Sequence, residues 1–324
     1  MTVRTITARN VNHALVDGLW CLKAAGIEQP SRNGPVLRAP GPVITHYKRP
    51  WERLCMDPKR DANHVFHLME TIWMLAGEND VSWLLPFNSA FGQYAEDDKL
   101  QHGAYGFRWL THFGVNQIQE VLLELEKPNT RRAVISMWDP KSDLGADKAD
   151  LPCNTHIYFE VLNGKLNMSV CCRSNDMIWG AYGANAVHFS MLQELLALEL
   201  DLRVGSYYQF SNNFHIYTQM GPGPALLQST PTEPECQYAA GMAQTLPLLG
   251  AGETIWEFIQ DCEQLVCQPS PKLNTFFMRR VARPLRAAYL ARKEGLEWRL
   301  LLDDVPDCDW LLAFRMWAAR RDVK

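Results

Sequence analysis

Residues 155–172 read Thr-His-Ile-Tyr-Phe-Glu-Val-Leu-Asn-Gly-Lys-Leu-Asn-Met-Ser-Val-Cys-Cys. Asn163-Gly164 stands between two alternating apolar runs. That pairing is a strong signal for a tight hairpin, because the central residues of such a turn need positive φ. Residues 155–162 and 165–172 therefore read as paired antiparallel strands. The hairpin folds Cys153, just before the first strand, back toward Arg173, just after the second. A guanidinium beside a thiol favours the thiolate, and the thiolate is the nucleophile.

Outward from the hairpin the order of residues is informative. Pro152-Cys153 precedes it. Cys172-Arg173-Ser174-Asn175-Asp176 follows, then Gly183-Ala184-Asn185, and Asn213-Phe214-His215-Ile216-Tyr217 closes the stretch. Upstream, residues 63–77 form a helical pattern with Val65, Leu68, Met69, Ile72 and Trp73 mostly on one face. Glu70 falls inside that run, where a carboxylate is costly unless it is paired. Tyr105-Gly106-Phe107-Arg108-Trp109 comes next, and Thr130-Arg131-Arg132 heads an expected buried strand over residues 130–140. An arginine pair suits bidentate phosphate recognition. Helices are expected over 12–25, 117–126 and 188–202. In the strand region 207–217, His215 and Tyr217 point to one side, since alternate residues share a face.

The bounds are those of a globular protein. The chain has 324 residues, 47% of them hydrophobic, enough for a large core. A net charge of −4 gives no global attraction for nucleic acid or an anionic membrane, so any basic site is local. No run approaches the ~18 apolar residues of a membrane helix. Nine cysteines without regular spacing fit a reducing cytoplasm, and no metal-ligand pattern accompanies them.

The ordered set Pro-Cys, Arg-Ser-x-Asp twenty positions after the Cys, Asn, and His-Ile-Tyr resembles the thymidylate synthase family, including its pyrimidine-nucleotide hydroxymethylases known from bacteriophages. The resemblance covers roughly residues 15–220. It implies an α/β (α+β) fold, a mixed sheet flanked by helices, in a homodimer. It implies Cys153 as nucleophile at C6 of a pyrimidine deoxynucleotide, with Arg173, Tyr105 and Asp176 in the catalytic set. Glu70, in Glu70-Thr71-Ile72-Trp73, matches the family's general acid/base. Arg32, with Arg38 as alternative, Ser174, and Arg131 and Arg132 from the partner subunit are the implied phosphate ligands. His215 and Tyr217 hold the sugar, and Asn185 reads the base, although it sits one residue later than the family spacing. Methylenetetrahydrofolate is the implied co-substrate, with Asp176, Trp83 and Phe91 beside it.

Three departures bear on the product. The family's tryptophan pair is replaced by the Phe91/Tyr94 region, Asn154 stands where a His usually follows the Cys, and residues 231–324 look helical instead of ending in an apolar closing tail. The organisation expected is a catalytic core over 1–230 and a helical region over 231–324, with helices near 254–266, 274–294 and 307–321. Arg320-Arg321 reads as a solvated helix end. Hydride transfer needs water excluded, so these departures favour hydroxymethylation of dUMP. Thymidylate synthesis, dCMP hydroxymethylation and a silent nucleotide-binding relative are the alternatives.

Overall fold

The computed structural model describes residues 3–232 and 236–322. The hairpin forms as expected. Strands β6 (Asn154–Leu162) and β7 (Lys165–Cys172) pair antiparallel, and Asn163 and Gly164 both adopt positive φ, at 53° and 68°. Along β7 the side chains of Leu166, Met168, Val170 and Cys172 are buried in strict alternation. This hydrophobic face fixes the register, because a one-residue slip would turn all four to solvent.

The hairpin sits near one edge of a six-stranded mixed sheet. Its members are β1 (Arg4–Ala8), β4 (Val43–Tyr47), β5 (Val134–Ser136) and β9 (Arg203–Ser211) besides the hairpin, in the order β1-β4-β9-β7-β6-β5. A second sheet has the order β2-β3-β10-β8, from β2 (Ile27–Gln29), β3 (Val36–Arg38), β8 (Asn175–Asp176) and β10 (Phe214–Tyr217). Helices α1 (Val11–Ala25) and α2 (His64–Leu75) and the Asn185–Glu199 helix join the sheet in one apolar core. Asn10 and Asn63 cap α1 and α2, each accepting hydrogen bonds from first-turn amides. Among the described residues no helix is long and apolar enough to cross a membrane.

Several expectations need correction. The strand expected over 130–140 is only Val134–Ser136 at the sheet edge, and Arg131 and Arg132 precede it in solvent. Asn129 in the left-handed region ends the preceding turn, and pairing with β6 begins only at Val134. The region 207–217 is two strands in different sheets, β9 and β10. The helix expected from 188 begins at Asn185.

Arg320 and Arg321 are not a solvated end. Arg320 Nε and Arg321 Nη2 bind the Asp61 carboxylate at 2.9 and 2.7 Å, and Arg321 also lies 4.2 Å over the Trp317 ring. Tyr289 donates to the Phe87 carbonyl at 3.0 Å, and Tyr238 donates to Asp309 at 2.9 Å. The C-terminal helices Ile255–Cys267 and Asp309–Asp322 thus brace α2, which carries Glu70.

Candidate active site

A cleft of about 800 Å³ opens beside the start of β6 and the end of β7, walled by α2 and the Asn185–Glu199 helix. Chain direction explains its position. The hairpin returns Arg173 to Cys153, and the Arg173 amide donates to the Cys153 carbonyl at 2.9 Å. Cys153 and Arg173 both line the cleft.

Arg173 does not dominate the thiol as the sequence suggests. Its Nε donates to the Pro152 carbonyl at 2.9 Å and its Nη2 to the Leu151 carbonyl at 2.8 Å, which locks the loop carrying Cys153. Burial pushes the Cys153 thiol above its ordinary pKa. Arg173 opposes that, the nearby Asp150 carboxylate adds to it, and Arg32 opposes it more weakly. Burial wins, so the free enzyme holds mainly thiol at neutral pH. The thiolate appears as pH rises through the raised value. Asp150 was not singled out in the sequence. Its own carboxyl is pushed up by burial, and it accepts from Gln101 at 2.8 Å. Asp150→Asn removes a charge that disfavours thiolate. The expected result is a shift of Cys153 alkylation by iodoacetamide to lower pH, with a several-fold faster rate near neutrality. Mass spectrometry of the Cys153 peptide reads it, and an unmoved or upward-shifted profile contradicts the assignment.

Glu70 reaches the cleft from α2 and meets His188, a residue that no sequence motif marked. The Glu70 Oε2 to His188 Nε2 distance is 3.2 Å. Tyr105 lies in the same wall, its hydroxyl accepting from the Asn154 amide at 3.3 Å. Gly106 permits this, since a Cβ there would meet the Met74 carbonyl of α2 at 1.7 Å.

Asn185 is delivered by an unusual turn. A wide π-type turn over Met177–Ala184, with non-helical backbone at Tyr182 and Gly183, leads into it. The helix then starts with Asn185 in the cleft. Both ends of its amide are held. Asn154 Nδ2 donates to Asn185 Oδ1 at 3.2 Å, and Asn185 Nδ2 donates to Asn175 Oδ1 at 3.1 Å. Asn175 Nδ2 donates on to Gln209 Oε1 at 3.0 Å and Ser211 Oγ at 2.9 Å. Gln209 Nε2 donates to the Tyr207 hydroxyl at 2.8 Å, and Tyr207 donates to the Asn185 backbone carbonyl at 3.4 Å. A carbonyl only accepts, so that last bond sets the direction of the whole relay.

The remaining wall is polar. Asp176 Oδ1 accepts from the Ile178 and Trp179 amides at 2.8 and 2.6 Å, while its buried Oδ2 has no protein partner. Burial pushes its carboxyl up to about 6. His215 and Tyr217 both face the cleft, with ring centroids 5.4 Å apart. Arg32 and Ser174 line the same mouth, and Phe91 and Tyr94 pack edge to face on another side.

Four implied residues lie elsewhere. Trp83 packs against Phe87 and under the Arg286 guanidinium, 5.7 Å from its ring centroid, outside the cleft lining. Its neighbour in the short turn Val81–Trp83, Val81, is the buried one, and the indole turns to the C-terminal helices. Arg38 pairs along β3 with His215 and reaches Gln29 at 3.5 Å instead of the cleft. Arg131 and Arg132 are exposed beyond the sheet edge and do not reach this chain's own cleft. No described residue after Met220 lines the cleft.

A thiol, a largely buried carboxylate, an oriented amide and a mouth with two arginines fit C5 chemistry on a pyrimidine nucleotide. The comparisons agree with that constellation. The chain is similar to the deoxyuridylate hydroxymethyltransferase of Pseudomonas phage M6, with 41% identity over 98% of this chain and 95% of the relative. It is also similar to the enzymes of that name from Bacillus phage SP01, 37% identical over 54% of this chain and 49% of the relative, and from Delftia phage PhiW-14, 31% identical over 65% and 62%. The thymidylate synthase family model matches residues 58–239, spanning Glu70, Cys153 and Tyr217, and the chain belongs to the thymidylate synthase family.

Proposed function

We propose that this enzyme transfers a one-carbon unit from methylenetetrahydrofolate to C5 of dUMP and completes the reaction with water, giving 5-hydroxymethyl-dUMP. The observation that carries the reading is the direction of the Asn185 relay, set beside full-length similarity to a phage deoxyuridylate hydroxymethyltransferase. With Oδ1 turned to Asn154 and Nδ2 to Asn175, Asn185 keeps one N–H for a base carbonyl and one lone pair for a ring N–H. Those are the needs of uracil at O4 and N3. Cytosine requires the reverse, and reversal breaks the relay. The same geometry disfavours dCMP as substrate.

Each residue then has a role. Cys153 adds to C6 and makes C5 nucleophilic. Burial raises its pKa, and Arg173, held on the Pro152 and Leu151 carbonyls, is the cation that opposes the rise and favours the thiolate. Arg32 and Ser174 complete the phosphate site, and His215 and Tyr217 hold the sugar. Glu70 moves the C5 proton. Asp176, with its orphaned Oδ2, fits the N–H groups of the folate pterin, and Phe91 flanks that side of the cleft. Methylenetetrahydrofolate supplies the carbon, and the protein residues orient it. Water completes the reaction because no described C-terminal residue covers the cleft.

The functional unit in this reading is a homodimer. Tyr158, Ser169, Tyr208 and His46 stand in one register row across the large sheet, on the face away from the core, and Tyr158 and Tyr208 are exposed. A second copy on that face covers the row and lets Arg131 and Arg132 reach the neighbouring phosphate.

Incubation with dUMP or dCMP and methylenetetrahydrofolate tests the reading by mass spectrometry. The expected product is dUMP heavier by one CH₂O unit, with dCMP a poor substrate. Thymidylate, or turnover of dCMP alone, contradicts it. Asn154→Asp replaces the donor facing Asn185 with an acceptor and turns the amide around. The dUMP-over-dCMP ratio of kcat/KM should fall by about 10-fold or more, since a mispaired buried hydrogen bond costs ~1–3 kcal/mol. Equal loss for both substrates would show that Asn154 does not orient the reader.

A further inference from the structure

His188 is a buried polar side chain of the cleft that the roles above leave unused. It lies one helical turn after Asn185, on the same face of the same helix, and lines the cleft. Its side chain is 2% exposed, yet neither Nδ1 nor Nε2 has a hydrogen-bond partner. Glu70 Oε2, 3.2 Å from Nε2, is also buried without a partner, because the two groups approach without the alignment of a hydrogen bond. Three unsatisfied polar atoms at one place are costly, and buried groups of this kind are normally satisfied by protein or water. A polar pocket with converging donors and acceptors is where an ordered water binds.

Ring geometry relates that pocket to the reaction. A base held at C6 by Cys153 and at N3 and O4 by Asn185 has its C5 between the two. The polar pair left in that part of the wall is Glu70 and His188. In the family's other outcome hydride ends the reaction. Here a nucleophilic water must be held beside the carbon on C5.

We propose that His188 is a positioning residue that, together with Glu70, holds the water that adds to the exocyclic methylene on C5, a role resting on the hydroxymethylation reading. The water oxygen bonds to the methylene carbon, and the C5=CH₂ electron pair moves to the C4 oxygen as an enolate. The water proton goes to Glu70, ionised again after the proton taken from C5 has left with the departing amine. Collapse of the enolate restores the C5=C6 double bond and breaks the C6–S bond, returning Cys153. No outside oxidant or reductant is needed. His188 fixes the direction of the water lone pair and does not itself touch the nucleotide.

The test counts tritium released from 5-tritiated dUMP against 5-hydroxymethyl-dUMP formed, in the full-length enzyme with 2-mercaptoethanol present. A thiol competes with water for the methylene and leaves a thioether. Wild type should release one tritium per hydroxymethyl product. His188→Ala should keep tritium release within about 10-fold of wild type while hydroxymethyl product falls about 100-fold or more and thioether replaces it. His188→Gln, which keeps a donor and an acceptor at similar reach, should recover most of the hydroxymethyl fraction. His188→Asn, polar but too short to reach Glu70, should behave as alanine and decides the case if the alanine variant does not fold. A one-to-one ratio in the alanine and asparagine variants, at any speed, overturns the proposal. Wild type is read first: thymidylate, or no product, there sinks the hydroxymethylation reading and the water site together. Hydroxymethyl product in wild type with unchanged ratios in the variants sinks His188 alone.

Discussion

Cys153→Ser should lose turnover by at least about 10³-fold while still binding dUMP, because a serine hydroxyl is not ionised near neutral pH and has no adjacent base to make it so. The surroundings of Cys153 explain why the loss is not rescued. Arg173 is committed to the Leu151 and Pro152 carbonyls, and Asp150 adds negative charge instead of accepting the proton usefully. Binding should survive because the proposed nucleotide contacts, Asn185, His215, Tyr217, Arg32 and Ser174, line the cleft independently of the sulfur. The measurement is a pair of numbers, kcat and the dUMP dissociation constant. A variant that keeps more than a few per cent of turnover removes Cys153 as nucleophile. A variant that loses binding and turnover together shows that the sulfur, or its loop, shapes the cleft.

Glu70→Gln should cost about 10²–10⁴-fold in release of tritium from C5, the range for removing a positioned acid/base group. The amide is nearly isosteric, so the packing of α2 against the C-terminal helices remains. Glu70 faces the cleft with an unpartnered oxygen, which is the geometry of a group waiting for substrate or water. Tritium release and hydroxymethyl product should fall in parallel, unlike the divergence expected at His188. A normal rate of tritium release in this variant takes Glu70 out of the proton transfer.

The hairpin and what it joins were legible because they depend on local chemistry. Asn163-Gly164 specifies a turn, alternation specifies the face, and a tight turn between equal strands leaves Cys153 and Arg173 as neighbours. Glu70 stood out through the match of Glu70-Thr71-Ile72-Trp73 to the family pattern, since a carboxylate at the edge of an apolar helix face reads on its own as one reaching for solvent. The residues missed lack any such local signal. His188 looks like an ordinary member of a buried helix. Asp150 looks like the end of a polar loop. Asn154, Asn175 and the β9 pair Tyr207 and Gln209 come from three places in the chain, and only the tertiary fold makes them one relay. The reach of Arg173 was misjudged because proximity to a thiol says nothing of competing carbonyls or of burial. Trp83 was assigned to the cleft by position along the chain, and the short turn there rotates it toward Arg286. Arg320 and Arg321 read as solvated because their partner, Asp61, is far away in sequence.

The central claim is that water, not hydride, ends the reaction, and the redox state of the released folate tests it most directly. Methyl transfer oxidises the folate to dihydrofolate, and near-ultraviolet absorbance rises with each turnover. Hydroxymethylation releases tetrahydrofolate, and it does not. With dUMP and methylenetetrahydrofolate at saturating concentrations, the prediction is steady formation of 5-hydroxymethyl-dUMP with no such rise. An absorbance increase stoichiometric with thymidylate would contradict the account and make this enzyme a divergent thymidylate synthase.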